Sequence, residues 1–148
     1  MKISELISTS PVSVQTDDSV SSAARLLSRR NIGVLPVTDA DGMLSGMVTD
    51  RDIVLRCIAA GKDPESTCVG EIMSDRVISV SPDDEASKAA ELMSREKIRR
   101  LPVVRDGRLC GVLSLSDIAR SRGFYMEAAR AFAEISSNVS RRSGRDRT

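Results

Sequence analysis

Spaced by its apolar residues, the chain reads as short strand-like runs and helical stripes in an order that occurs twice. Val12-Ser13-Val14 reads as a short strand, followed by Asp17-Asp18, turn residues able to cap a helix. Val20, Ala23, Ala24 and Leu27 then fall at helical spacing. Two strands are predicted over residues 34–38 and 43–48, joined through Ala40-Asp41-Gly42. A last helix is predicted from Thr49 through Ile53-Val54-Leu55 to a stop at Gly61, with Pro64 beyond. The order then returns. Val77-Ile78-Ser79-Val80 is the strand, Pro82-Asp83-Asp84 the capping turn, and Ala86, Ala89, Ala90 and Met93 the helical stripe. Strands over 101–105 and 109–113 meet at the tight hairpin signal Asp106-Gly107, and a helix starts at Ser114. Each copy is β-α-β-β-α.

The repetition extends to the letters. Ile32-Gly33-Val34-Leu35-Pro36-Val37 aligns with Ile98-Arg99-Arg100-Leu101-Pro102-Val103, 66 residues later. One residue is lost in the hairpin turn. Gly46-Met47-Val48-Thr49-Asp50-Arg51-Asp52-Ile53 therefore aligns with Gly111-Val112-Leu113-Ser114-Leu115-Ser116-Asp117-Ile118. Two copies are too few for a solenoid and imply a pseudo-symmetric pair with two equivalent sites. A unit of about 60 residues buries only ~60% of its unfolded surface, so the copies are expected to share a core. The expected fold is α/β of the α+β type: two repeats packed as one pseudo-twofold module, plus a C-terminal helix. The expected boundaries are 1–62 for the first repeat, 63–67 for a polar linker and 68–122 for the second repeat. A C-terminal amphipathic helix follows over 123–139, with Phe124, Ala128, Ala131, Phe132 and Ile135 along one face. Residues 140–148, with four arginines against one aspartate, are expected to be a disordered basic tail.

Composition narrows the function. The 148 residues are 41% apolar and 29% charged with a net charge of +1, an ordinary globular balance. No apolar run approaches the ~20 residues of a membrane span. Met1-Lys2-Ile3-Ser4-Glu5 has no signal-peptide pattern, so a soluble cytoplasmic protein with no membrane partner is expected. Cys57, Cys68 and Cys110 form no C-x-x-C pair; Cys57 and Cys110 read as small buried hydrophobes. The absence of histidine removes His-based metal sites and Ser-His or Cys-His nucleophiles, leaving no metal site and no catalytic residue to name. The three aromatic residues, Phe124, Tyr125 and Phe132, all follow the repeats. The repeats therefore lack stacking platforms for single-stranded nucleic acid, and with near-neutral charge no nucleic-acid partner is expected.

The repeated G-x-x-[ST]-x-x-D supports two readings. In one, Gly46 and Gly111 mark a close backbone approach, while Thr49 and Ser114 cap helices with Asp52 and Asp117 at N3. In the other, the same helix start addresses a ligand, with a hydroxyl and a carboxylate one turn apart facing phosphate and ribose together.

The β-α-β-β-α order, the L-P-V strand and the closing G-x-x-[ST]-x-x-D in both copies resemble a tandem pair of cystathionine-β-synthase (CBS) domains, a Bateman module, over roughly residues 3–120. Thr49-Asp50-Arg51-Asp52-Ile53-Val54 and Ala59-Ala60-Gly61-Lys62-Asp63-Pro64 give it the character of stand-alone bacterial members. The resemblance implies a non-enzymatic regulatory sensor that binds AMP, ADP, ATP or a similar adenosine compound in clefts between the repeats, with no catalytic cofactor. It implies that Asp52 and Asp117 hold ribose hydroxyls and that Thr49 and Ser114 serve the phosphate or ribose side. Backbone at Val12 and at Val77 and Ile78 would read the adenine edge. Arg99 or Arg100, before Leu101-Pro102, would meet phosphate, with Pro102 itself in the ligand-binding set, where the first copy has Gly33-Val34; Arg51 is a weaker candidate. It also implies a homodimer, with the aromatic C-terminal helix as the assembly element, and a protein target in trans. The alternative is a ligand-free structural module that serves protein–protein interaction.

Overall fold

The computed structural model of the chain describes residues 1–7, 10–121 and 125–145, with residues 125–126 and 138–145 as backbone only. The fold is α+β, in two compact units. One is Ser10–Ile78 with Asp106–Leu109; the other is Met1–Thr9, Ser79–Arg105 and Cys110–Thr148.

The first unit carries a three-stranded sheet in the order β1-β2-β3, built from β1 (Val14–Gln15), β2 (Val34–Thr38) and β3 (Leu44–Thr49). β1 lies parallel to β2, with Val14 opposite Val37, and β2 is antiparallel to β3, with Leu35 opposite Val48. α1 (Val20–Arg30) crosses between β1 and β2 and buries Val20, Ala23 and Leu27. These side chains close a core with Val14, Leu35, Val37 and Val48. After β3 the three-residue α2 (Asp50–Asp52) widens into π-helical turns over Ile53–Ile58. The wider turns are visible in the Ala59 N–H, which donates to the Val54 carbonyl five residues back. Cys57 is fully buried there, its thiol directed at the Lys62 carbonyl 3.6 Å away.

In the second unit α3 (Ala86–Glu96) buries Ala86, Ala89, Ala90 and Met93. β4 (Arg100–Arg105) and β5 (Arg108–Ser114) form a two-stranded hairpin. Asp106 and Gly107, at φ 52° and 79°, supply the left-handed pair its turn requires. α4 (Leu115–Arg120) follows, and α5 (Tyr125–Arg145) lies across α3 and α4.

Four features differ from the expectation drawn from spacing. The predicted strand at Val12 shifts to Val14–Gln15, because only these residues meet partners on β2. The strand predicted over residues 77–80 shrinks to a single parallel bridge between Val80 and Val103. Asp17-Asp18 and Asp83-Asp84 do not cap the helices. Ser19 caps α1, accepting from the Ser22 N–H, while Glu85 precedes α3 without a side-chain cap bond. Asp18 and Asp84 instead close the turns before them, accepting from the N–H groups of Gln15 at 2.8 Å and Ser81 at 2.9 Å. The C-terminal helix continues past residue 139 to Arg145. Phe124 and residues 146–148 of the basic tail lie outside the described residues.

Each unit takes its entry turn from the start of the other repeat. A 3-10 turn at Ile3–Glu5 belongs to the second unit, where the Ile3 and Ser4 N–H groups donate to the Asp84 and Pro82 carbonyls. Its counterpart at Val69–Glu71 belongs to the first unit, where Val69 and Gly70 donate to Asp18 and Thr16. Ile3 and Val69 are both fully buried. Residues 63–67 are likewise tied down: the Pro64 and Thr67 carbonyls accept from the start of α1, and Glu65 pairs with Arg25 at 2.9 Å. The segment after Val69 then runs against β3, where Met47 and Ser74 exchange backbone hydrogen bonds. A β-carbon at Gly46 would stand 2.5 Å from the Ser74 carbonyl oxygen and 2.8 Å from the Met73 sulfur, so this approach requires glycine.

Ile3→Ala is expected to cost about 2–5 kcal/mol in urea unfolding, the range for truncating a sealed core residue. Asp84 gives a pH signature. The Ser81 N–H, opposed by partial burial and helped by Lys88 at 3.2 Å, holds its carboxyl below the usual 3.8. Folding lowers this pKa, so the stabilisation is complete above 3.8 and fades as pH falls through the folded value. The stability gap between the native chain and Asp84→Asn should therefore close in acid, as urea midpoints across pH would record.

Candidate functional site

The most regular feature of both units is the junction between their last strand and the helix after it. Thr49 and Ser114 leave the strand in extended conformation, with ψ of 162° and 158°, and the chain turns helical at the next residue. Orphan N–H groups appear at such a point, and each copy satisfies them reciprocally. The Thr49 hydroxyl accepts from the Asp52 N–H at 3.0 Å, and Asp52 Oδ2 accepts from the Thr49 N–H at 3.0 Å. In the second copy the same bonds join Ser114 and Asp117 at 3.1 and 2.9 Å. The capping role is real in both units.

It leaves chemistry unspent. Each hydroxyl keeps its own proton to donate, and each carboxylate keeps its second oxygen outside the box. Asp52 Oδ1 stands 3.8 Å from Arg56 Nε, and Asp117 Oδ1 is 2.6 Å from an Arg120 guanidinium nitrogen. The carboxylates are 15% and 23% exposed, so neither is sealed from a ligand. Arg56 also donates to the Ile72 and Met73 carbonyls, which fixes its head beside Asp52. Neither arginine stood out in the sequence; their spacing of four and three residues from the acids was the available signal.

A second bond repeats behind the box. The Asp50 N–H donates to the Gly33 carbonyl at 3.0 Å, and the Leu115 N–H donates to the Arg99 carbonyl at 2.8 Å. Each helix start is thus locked to the entrance of the neighbouring strand, and the residues at that entrance differ. In the second unit Arg99 and Arg100 are exposed and, among the described residues, unpaired. They line a cavity of about 490 Å³ together with Ser114, Leu115, Ser116 and Ala119, closed by Ala128, Ala129 and Phe132 of α5. In the first unit the entrance is Gly33-Val34, and the Asp50 carboxylate lies 3.4 Å from where a β-carbon on Gly33 would stand.

The other expected residues are placed as follows. Val12 is half-buried against the first unit's core. Val77 and Ile78 are half-buried in the irregular stretch over 75–79. None of these three makes a backbone hydrogen bond among the described residues. Pro102 is buried in β4, its carbonyl taken by the Val80 N–H. Pro102 and Asp117 do not line the cavity, and Arg51 is exposed. Cys110, expected as a buried hydrophobe, is only half-buried. The aromatic helix expected as the assembly element packs against α3 and α4 of its own unit. α5 covers its own unit through the small side chains Ala128 and Ala131, leaving Phe132 56% exposed; the Tyr125 side chain lies outside the described residues.

A model of the CBS domain matches residues 3–58 and again residues 69–123. The chain belongs to the CBS-domain family. It is a CBS pair, and CBS domains are generally regulatory, non-catalytic modules. The chain is 36% identical to the CBS domain-containing protein YhcV of Bacillus subtilis (strain 168) over 134 residues, 90% of this chain and 94% of that protein. It is 36% identical to Hypoxic response protein 1 of Mycobacterium tuberculosis over 103 residues, 70% of this chain and 72% of that protein. A crystal structure of Hypoxic Response Protein I with two coordinated zinc ions superposes with a TM-score of 0.75 at 31% identity, over 81% of this chain and 98% of that one. The CBS pair of protein MJ0100, in complex with 5′-methylthioadenosine and S-adenosyl-L-methionine, superposes with a TM-score of 0.70 at 31% identity, over 81% of this chain and 94% of that one. Here, no three His, Cys, Asp or Glu residues converge on a metal position among the described residues. No helix among them is long and apolar enough to cross a membrane.

The caps are testable apart from any ligand. Thr49→Val and Ser114→Ala should each lower stability by about 1 kcal/mol in urea unfolding, the usual cost of a lost N-cap oxygen.

Proposed function

We propose that the chain is a regulatory sensor of adenosine-containing ligands that acts on a protein target in trans. The observation that carries this reading is the twice-built box, whose carboxylate keeps one oxygen beyond the needs of the helix cap in both units. A ribose diol offers two adjacent donors to such an oxygen. The adjoining hydroxyl, of Thr49 or Ser114, serves the phosphate or ribose side. The half-buried backbone at Val12, Val77 and Ile78, unbonded among the described residues, is suited to the polar edge of adenine, with aliphatic side chains on its faces. The solved complex of MJ0100 with two adenosine compounds supports this ligand class.

The units are proposed to differ in the tail they accept. Arg99 and Arg100 favour an anionic tail such as the phosphates of AMP, ADP or ATP, because guanidinium forks pair with phosphate oxygens. At the equivalent place in the first unit Asp50 and Gly33 favour an uncharged or cationic tail. Release of Asp117 from Arg120 costs little, since that arginine is 74% exposed.

The test uses asparagine in place of each acid. Asp52→Asn and Asp117→Asn can retain an oxygen for the cap while losing the charged acceptor, so folding should survive. By calorimetry the native chain should bind AMP and adenosine saturably. Each variant should weaken its own site about tenfold or more, the scale of one charge-assisted hydrogen bond. Absence of binding to any adenosine compound by a folded chain would sink the reading.

Self-association belongs to the same proposal. Val54, Leu55 and Ile58, on the turns after the first box, are 55%, 49% and 55% exposed. In the second unit the corresponding helix, α4, lies under α5, whereas nothing among the described residues covers this face. A second copy of the chain is the proposed cover. Light scattering should give twice the chain mass, and Leu55→Glu with Ile58→Glu should halve it; an unchanged mass in the variant counts against this face.

A further inference from the structure

A second cavity lies between α3 and α5 and shares no lining residue with the box or with the cavity beside Arg99 and Arg100. At about 300 Å³ it is at the small end of the range for small-molecule sites, roughly 300–1,000 Å³. Its α5 wall, which includes Glu127 and Arg130, follows the residues matched by the CBS model, which end at 123.

The charges around it are unmatched. Glu127 lines the cavity, and its Oε2 is sealed from solvent without a hydrogen-bond partner. A carboxylate oxygen held in this way is costly unless a donor meets it. Arg130, three residues on along α5, is at ordinary ion-pair spacing, yet the two make no ion pair. Glu91, on the α3 wall, is likewise unpaired among the described residues. The same two helices match their charges elsewhere, with Lys97 and Glu134 2.8 Å apart. The apolar part of the lining is Ala90 and Ala131, both buried, and Ser87 and Ser94 add hydroxyls.

An occupant must answer both signs of charge. A simple cation would meet the Arg130 guanidinium, and a simple anion would meet the Glu91 and Glu127 carboxylates. A small zwitterion satisfies all three groups. An ammonium donates to carboxylates, and a carboxylate accepts the paired N–H groups of a guanidinium fork.

We propose that this cavity binds a small free α-amino acid. Its ammonium sits between Glu127 and Glu91, its carboxylate meets Arg130, and its side chain covers Ala90 and Ala131. Because Oε2 is sealed, the Glu127 side chain must rotate to bring that oxygen to the ammonium, and relief of its unpaired state favours the movement. The site rests on the second unit alone and does not require the nucleoside reading.

L-threonine and L-alanine are the probes, titrated into the full chain by calorimetry and by ligand-observed NMR. At least one should saturate a single site per chain. The two halves of threonine are the controls: 1-amino-2-propanol lacks the carboxylate and 3-hydroxybutyrate lacks the ammonium. Each should bind at least tenfold more weakly than threonine. Glu127→Gln and Arg130→Ala should each weaken amino-acid binding at least tenfold. Ser87→Trp, which fills the cavity from an exposed helical position, should abolish it while leaving adenosine binding and the melting temperature unchanged. Absence of saturable binding of both amino acids overturns the proposal. So does binding that Ser87→Trp or Glu127→Gln leaves intact, or that either half-molecule matches. Loss of adenosine binding alone tells only against the nucleoside reading.

Discussion

Two reciprocal hydrogen bonds between a hydroxyl residue and the acid three positions later set the terms for everything around them. Where Thr49 meets Asp52 and Ser114 meets Asp117, the chain leaves a sheet and enters a helix, and four backbone donors lose their partners. The box satisfies two of them with side chains from the same turn. It thereby fixes the rotamer of an acid that would otherwise sample many. The next N–H reaches back to the carbonyl of Gly33 or Arg99, so the junction also places the first residues of the neighbouring strand. Cap, acid and strand entrance are one construction, and its cost to the chain is small because each bond also serves the fold.

How much of this was legible in the sequence depended on whether a feature was local. β2 was readable to the residue, because its apolar run is bounded by turn chemistry. The boxes were readable because their spacing is the signature of a helix start. The first strands were not, since the length of β1 is set by how much of it meets β2. The choice of Ser19 over Asp17-Asp18 as cap was also hidden. Both are good capping chemistry, and the turn that claims Asp18 forms only once the chain bends. The π-helical turns after Asp52 leave no periodic mark. Least legible was the cavity wall, because Phe132 shares the predicted apolar face with Ala128 and Ala131, and nothing in residues 127–137 says that the alanines alone will be buried while Phe132 is left out.

The two copies show how a duplicated frame can diverge without disturbing its geometry. The backbone bond from Asp50 to Gly33 and that from Leu115 to Arg99 differ by only 0.2 Å in length, at 3.0 and 2.8 Å. Around that constant bond the local charge has reversed. One copy sets a carboxylate against a glycine; the other sets two arginines beside a leucine. The frame tolerates this because the bond is made by main chain. Side chains at these positions are free to answer to a ligand.

The exchanged entry turns bear on the order in which the molecule can assemble. Ile3 and Ser4 precede by some eighty positions the Asp84 and Pro82 carbonyls that they bond. The first unit is no more self-sufficient, since Val69 and Ile72 of its core follow the linker. Neither repeat can close while the chain is half made. Translation must therefore carry the first repeat with its apolar face open until Val69 and Ile72 follow at the start of the second, and the strap at Ile3 and Ser4 waits until residues 82–84 are made.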